Sequence, residues 1–227
     1  MVLAPRIRLY AAGLPRPQVE AGWLALAQHQ VATELPRGGL RSHSGAAVFG
    51  DGSHPTTRLC AAVLDQLCRQ RQPQAVLDVG TGTGVLARIA RARGATFVVG
   101  TDIDAEVLAA AAANAALDEH AVAIVLSAEA PDHWGARFDV VIANILEEPL
   151  RMLAPALGRA LAAQGVLAIS GFTRVQVPAM RVNYQSSGMD VIGQAHLEEW
   201  ALLVLAAGRG TTACGTPAEI STEPPLP

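Results

Sequence analysis

The chain has 227 residues, of which 51% are hydrophobic and 16% charged, and its mean hydropathy is +0.29. That length and apolar content can build a full core, which excludes a disordered chain and a small disulfide-stapled module. The 17 basic residues are all arginine, against 20 acids for a net charge of −3. With 43 alanines, the absence of lysine reads as genome composition rather than chemistry. Arginine predominates before residue 100 and acids after it, and no basic run is dense enough to argue for nucleic acid. The three cysteines form no C-x-x-C pair, so neither a zinc site nor a redox motif is supported. No uncharged apolar run reaches the roughly 18 residues of a membrane span. Residues 1–6 show no basic stretch ahead of an apolar core, as a secretory signal would. A cytoplasmic protein without membrane contact is expected.

In chain order, Arg6–Tyr10 alternates polar and apolar residues and reads as a strand. Residues 18–34 carry Trp23, Leu24, Leu26 and Val31 and read as a helix, before Pro36 and Gly38-Gly39 break the chain. Thr56–Gln70 is helical in its spacing, with Leu59, Val63, Leu64 and Leu67 on one face. Strands are expected at Ala75–Val79, Thr96–Thr101, Val122–Leu126, Phe138–Ala143, Val166–Ser170, Met189–Ala195 and Ala201–Ala206. Helices are expected at Val85–Arg93, Ala105–Ala116, Leu150–Ala162 with an interruption at Pro155, and residues 175–187. This alternation indicates a mostly parallel sheet with helices on both faces. The last two strands follow one another without a helix, so one enters antiparallel. The tail from Gly208, rich in Thr, Gly, Pro and Ser, is expected to be disordered.

The sharpest chemical signal is Val76-Leu77-Asp78-Val79-Gly80-Thr81-Gly82-Thr83-Gly84, a strand running into a glycine-rich turn ahead of a helix. Such a turn lets backbone approach a ligand closely while helix amides face it. Gly82-x-Gly84-x-x-Ala87 loosely fits a dinucleotide fingerprint, so the turn alone is ambiguous. Asp78 favours a different ligand, S-adenosyl-L-methionine, whose methionine ammonium a carboxylate attracts; a pyrophosphate would be repelled. Asp102, ending the next strand, suits the ribose hydroxyls of either ligand. Asp104 reads as the cap of the alanine-rich helix. His54, between Ser53 and Pro55, reads as a loop-fixing residue in preference to a base.

Two further segments decide between the ligands. Phe49-Gly50-Asp51-Gly52-Ser53-His54-Pro55-Thr56-Thr57 precedes the first long helix, and Ala143-Asn144-Ile145-Leu146 follows the fourth strand of the regular region. Together with Asp78–Gly84, Thr101–Asp104, Gly171 and Glu199-Trp200, these motifs resemble the PrmA family over about Phe49 to Leu205. Members are S-adenosylmethionine-dependent methyltransferases that modify amino groups of a ribosomal large-subunit protein. The resemblance implies a seven-stranded Rossmann-like α/β sheet with one antiparallel strand. It implies that Thr57 contacts the cofactor, that Gly80, Gly82 and Gly84 floor its methionine part with Asp78 nearby, and that Asp102 holds the ribose. It places Asn144 beside the reacting methyl, orienting the incoming amine. Independently, Asn144 ends a strand on the side where open α/β sheets bind ligands.

Two departures bear on the acceptor. The family has threonine where this chain has Asp51, which puts a new acid beside the pocket. The family also carries a separate N-terminal lobe that grips its substrate, whereas 48 residues precede Phe49 here. Residues 1–48 are therefore expected to form a short extension on the core, 49–207 the methyltransferase domain and 208–227 a tail. The acceptor is expected to be an amino group of a protein or small molecule, with the family's ribosomal protein a poor substrate. Arg6, Arg8, Arg16, Arg37 and Arg41 would favour an acidic one. Two competing readings are a nicotinamide-dependent oxidoreductase, which here lacks any Tyr-x-x-x-Lys pair, and a binding subunit without turnover. No metal is called for.

Overall fold

The computed structural model of the chain describes residues 6–9, 54–116 and 124–208. Among these residues one sheet comprises β1 (Arg6–Leu9), β2 (Ala75–Val79), β3 (Phe97–Thr101), β4 (Ile124–Ser127), β5 (Phe138–Asn144), β6 (Leu161–Thr173), β7 (Met189–Leu197) and β8 (Trp200–Ala207). The helices are α1 (Pro55–Arg71), α2 (Val85–Ala92), α3 (Ala105–Ala115), α4 (Glu147–Ala160) and α5 (Val177–Ser186). Strand order is β1-β7-β8-β6-β5-β2-β3-β4. Strands β2 to β6 run parallel, and β8 runs antiparallel to both β6 and β7. The chain winds outward from β2 through β3 to β4, then crosses back to β5. The switch point of the sheet therefore lies between β2 and β5, where open α/β sheets place their ligands.

The seven strands expected from the pattern are present, and the N-terminal segment adds an eighth. Residues 6–9 pair antiparallel with β7, Arg6 opposite His196 and Leu9 opposite Gly193. The sheet thus holds two counter-running strands instead of the one expected. The expected helix at 18–34, Phe49–Ser53 and the tail beyond Gly208 lie outside the described residues.

The core follows from strand alternation. Val76, Val98, Val140, Ile142, Val166, Ala168, Leu202 and Val204 point to one face and pack under α1 and α2. Leu77, Val99, Val141, Leu167, Ile169, Leu203 and Leu205 point to the other and pack under α4 and α5. Each fully buried Leu or Ile contributes about 1.5–3 kcal/mol. No helix among the described residues is long and apolar enough to cross a membrane.

Helix α4 corrects one expectation. It starts at Glu147 and runs to Ala160 without interruption, with Pro155 inside it. A proline there has no N–H to give the preceding turn and crowds its carbonyl. Leu150, Ala154, Leu157 and Ala160 are each fully buried against the sheet, and that packing outweighs the lost bond.

At the switch point, Ile145 follows β5 and is wedged between two glycines. Gly80 has φ +69°, and a Cβ there would overlap the Ile145 side chain. Gly171 has φ +109°, and a Cβ there would overlap the Ile145 carbonyl. The positive φ disfavours any other residue, and the second contact is with backbone, which cannot rotate away. Gly171→Ala is expected to lower stability by at least about 2–3 kcal/mol. In a domain of this size that is a fall in melting temperature of roughly 5–10 °C, read by calorimetry.

Candidate active site

Helix α1 begins at a built N-terminus. His54 is its cap: Nδ1 accepts the Thr56 backbone N–H at 3.3 Å and lies 2.7 Å from the Thr56 hydroxyl. Pro55 occupies the first helical position, where its missing N–H costs nothing. The His54 ring also meets Trp200 edge-on, with ring centroids 4.9 Å apart. The histidine therefore caps the helix and ties its start to β8. The contact with Trp200, at the start of β8, was not legible because it joins segments distant in the chain.

This start of α1 brings Thr57 against the end of β5. Asn144 donates from Nδ2 to the Thr57 hydroxyl at 3.4 Å. Thr57 is 1% exposed, whereas Asn144 keeps an accessible face.

The glycine turn after β2 is held from beneath. Gly80 and Thr81 both donate backbone N–H groups to the Thr101 carbonyl, at 2.8 and 2.9 Å, and Gly84 donates to the Thr81 carbonyl at 2.8 Å. Gly80, Gly82 and Gly84 all have positive φ. Asp78 lies wholly buried below the turn, where its Oδ2 accepts the Thr81 hydroxyl at 2.7 Å and the Ala87 N–H at 3.2 Å. Its Oδ1 is buried with no hydrogen-bond partner among the described residues. Burial pushes the Asp78 carboxyl up to about 6, and the nearby Asp102 charge adds to the rise; the Thr81 and Ala87 bonds oppose it.

Asp102 follows β3 with its carboxylate partly accessible. Oδ2 accepts the Gly82 N–H at 3.3 Å, and Oδ1 accepts the Asp104 N–H at 3.2 Å. Asp104 caps α3 through the Glu106 N–H at 2.8 Å, as expected. Asn114, an unremarked position in the alanine-rich run, is buried and donates Nδ2–H to the Thr83 carbonyl at 3.0 Å. A polar residue near the end of an otherwise alanine-rich run was the available sign.

The sequence-derived site residues thus converge on the ends of three adjacent strands, β5, β2 and β3. They divide by depth. Gly80, Gly82, Asp102 and Asn144 present surface, whereas Thr57, Asp78 and Gly84 are buried supports. Asp78 therefore acts from under the turn, with no exposed oxygen for a ligand to touch directly. The line from Asp102 through the turn to Asn144 offers an acidic end, a backbone floor and a neutral amide end. No cluster of three or more His, Cys, Asp or Glu suited to a metal occurs among the described residues. The side chains of the five N-terminal arginines fall outside what the structure describes.

Comparison with known proteins gives the chain's family. The profile of the ribosomal protein L11 methyltransferase (PrmA) family matches residues 40–207. The ribosomal protein L11 methyltransferase of Methylobacillus flagellatus is 39% identical over 155 residues, covering 68% of this chain and 50% of that protein. That of Geobacter sulfurreducens is 42% identical over 156 residues, covering 69% and 50%. The crystal structure of ribosomal protein L11 methylase from Lactobacillus delbrueckii subsp. bulgaricus superposes with TM-score 0.62 at 31% identity, covering 67% of this chain and 78% of that one. A putative methyltransferase from Thermoplasma acidophilum, at 14% identity and TM-score 0.52, shares the fold. The chain spans about half the length of the two curated relatives. By its sequence over residues 40–207, the chain belongs to the ribosomal protein L11 methyltransferase family.

Proposed function

We propose that this chain transfers the methyl group of S-adenosyl-L-methionine to an amino group of a protein acceptor, with residues 49–207 as the cofactor-binding unit. The observation that carries the reading is the alignment of Asp102, the positive-φ glycine turn and Asn144 across the switch point of a family member's sheet. The cofactor suits these residues. The Asp102 carboxylate is placed for two vicinal hydroxyls, and the glycine turn leaves its floor free of side chains. The buried, partnerless Asp78 Oδ1 supplies negative charge beneath the place of a cation. A nicotinamide dinucleotide fits worse, because its pyrophosphate would lie over that carboxylate.

Bound there, the cofactor supplies an activated methyl on a sulfonium, so the protein contributes chiefly alignment and exclusion of water. Asn144 orients the acceptor nitrogen through its amide, itself held in one rotamer by Thr57. An alkyl amine, of pKa about 10, must lose a proton before its lone pair can attack. Transfer forms an N–C bond and breaks the S–C bond, leaving S-adenosylhomocysteine. The relatives are named for ribosomal protein L11, and that protein is the first acceptor to present. A labelled-methyl assay with ribosomal proteins and with a ribosome-depleted extract tests the reading. Incorporation into an amino group supports it; saturable cofactor binding with no transfer to either mixture defeats it.

Asp102→Ala is expected to weaken cofactor affinity at least roughly tenfold, since charge-assisted hydrogen bonds contribute about 1.5–3 kcal/mol each. Asp104→Ala should instead cost about 1 kcal/mol of stability as a lost cap and leave affinity alone. Calorimetric titration with S-adenosylhomocysteine separates the two, and equal affinities would remove Asp102 from the site.

Asn144→Ala is expected to lower kcat roughly tenfold or more while the cofactor's Kd changes little, because its contact matters with the acceptor in place. Single-turnover kinetics check this, and an unchanged rate would end the assignment.

The Asp78 carboxyl sets a pH dependence. Its folded pKa is about 6, above its unfolded value, so between roughly pH 4 and 6 the folded state keeps a proton the unfolded chain has lost. Stability therefore falls as pH rises through that window, and the cost persists above it. A cationic ligand favours the ionised form, so cofactor affinity should rise as pH passes about 6 upward. Asp78→Asn should flatten the profile, as calorimetry at about pH 5 and about pH 7.5 would show.

A further inference from the structure

The glycine turn is held from a second direction, by the unit that follows β3. Asp102, at the end of β3, accepts the Gly82 N–H at 3.3 Å. Asn114, ten residues into α3, donates Nδ2–H to the Thr83 carbonyl at 3.0 Å. Ala111, one turn earlier, packs against Gly84, where a Cβ would come within 3.5 Å of the alanine Cβ. Two peptide groups of the turn, Thr81–Gly82 through its N–H and Thr83–Gly84 through its C=O, are thus tied to the same strand–helix unit. Both Asn114 and Thr83 are buried, at 1% and 4% exposure, so water does not readily replace the bond.

From this geometry we propose that Asn114 is a positioning residue for cofactor binding: it locks the Thr83 peptide so that the turn stays in register with the Asp102 carboxylate. The inference rests on the cofactor reading above. It assigns the distance between the floor of the site and its acidic end to one buried side chain that touches no ligand. Helix α3 then acts as a strut. Its N-terminus is capped by Asp104 beside Asp102, and its last turn holds the turn through Asn114. A shift of the Thr83–Gly84 peptide would be passed through the single intervening peptide to the Gly82 N–H and move it off Asp102, so the two ends of the cofactor would no longer be satisfied together.

The test uses the full chain without ligand first. In Asn114→Ala, hydrogen exchange at the Gly82 and Gly84 amides should quicken at least about tenfold, the scale of one lost hydrogen bond. Amides in β5 and β6 should not change. The Kd for S-adenosylhomocysteine should rise about tenfold, equivalent to about 1.4 kcal/mol, while kcat at saturating cofactor stays within about twofold.

Asn114→Asp provides a second variant of nearly the same volume. Its protonated carboxyl can donate to the Thr83 carbonyl, whereas the ionised form repels it. Its cofactor affinity should approach the wild-type value at acid pH and fall as pH rises, relative to the wild-type profile at each pH. Unchanged exchange at the turn in a folded Asn114→Ala protein would overturn the proposal. So would an unchanged Kd, or an Asn114→Asp profile parallel to the wild type. If the wild-type chain binds no S-adenosylhomocysteine, the cofactor reading fails instead, and the exchange measurement still decides whether Asn114 locks the turn.

Discussion

The ends of β2, β5 and β6 meet in a space that admits only hydrogen atoms on two of the backbones. Ile145 fills that space, its side chain against Gly80 and its carbonyl against Gly171. Parallel strands joined through distant helices have no local turn to fix how their ends align, so packing must do it. Here one residue sets the height of the glycine turn relative to the end of β5. That height determines how far the turn stands from Asn144, and the wedge therefore couples the fold of the sheet centre to the geometry of the site.

Electrostatics on this scaffold comes from two carboxylates in unlike settings. Asp78 is completely buried and braces the turn through a hydroxyl and an amide. Asp102 is partly accessible and receives two backbone N–H groups. Burial raises the first toward neutrality, and its proximity to the second adds to the effect. Two acids close together raise each other's cost of ionisation. Such a cost is relieved by a ligand that is positive near one acid and offers hydroxyls to the other.

Much of this was legible in the linear sequence because the relevant signals are local. A strand, a glycine turn and a helix lie within Val76–Ala92, and the acid that ends β3 follows a recognisable apolar run. The helix cap at Asp104 and the loop-fixing part of His54 needed knowledge of only two or three neighbours. What escaped depended on contacts between distant segments. Pro155 sits in an unbroken helix because the sheet beneath α4 compensates for it. The depth of Thr57 and Asp78 was not legible either, since burial is decided by what packs above. Asn114 passed as an ordinary residue of an alanine helix, because its partner Thr83 is 31 positions away. The eighth strand was visible as a strand, but its place beside β7 was not.

That placement has a consequence for the order in which the fold can be completed. Among the described residues β1 is the first strand, yet its hydrogen-bonding partner is the next-to-last one. As the polypeptide emerges from the ribosome, β2 to β6 can associate while β1 has no edge to join. The loop that β1 must close spans nearly the whole molecule, so its pairing carries a large entropic cost and contributes late. Until β7 is made, the N-terminal segment remains available to other contacts. Once it docks, the β7 edge is no longer open to pairing with a neighbouring molecule.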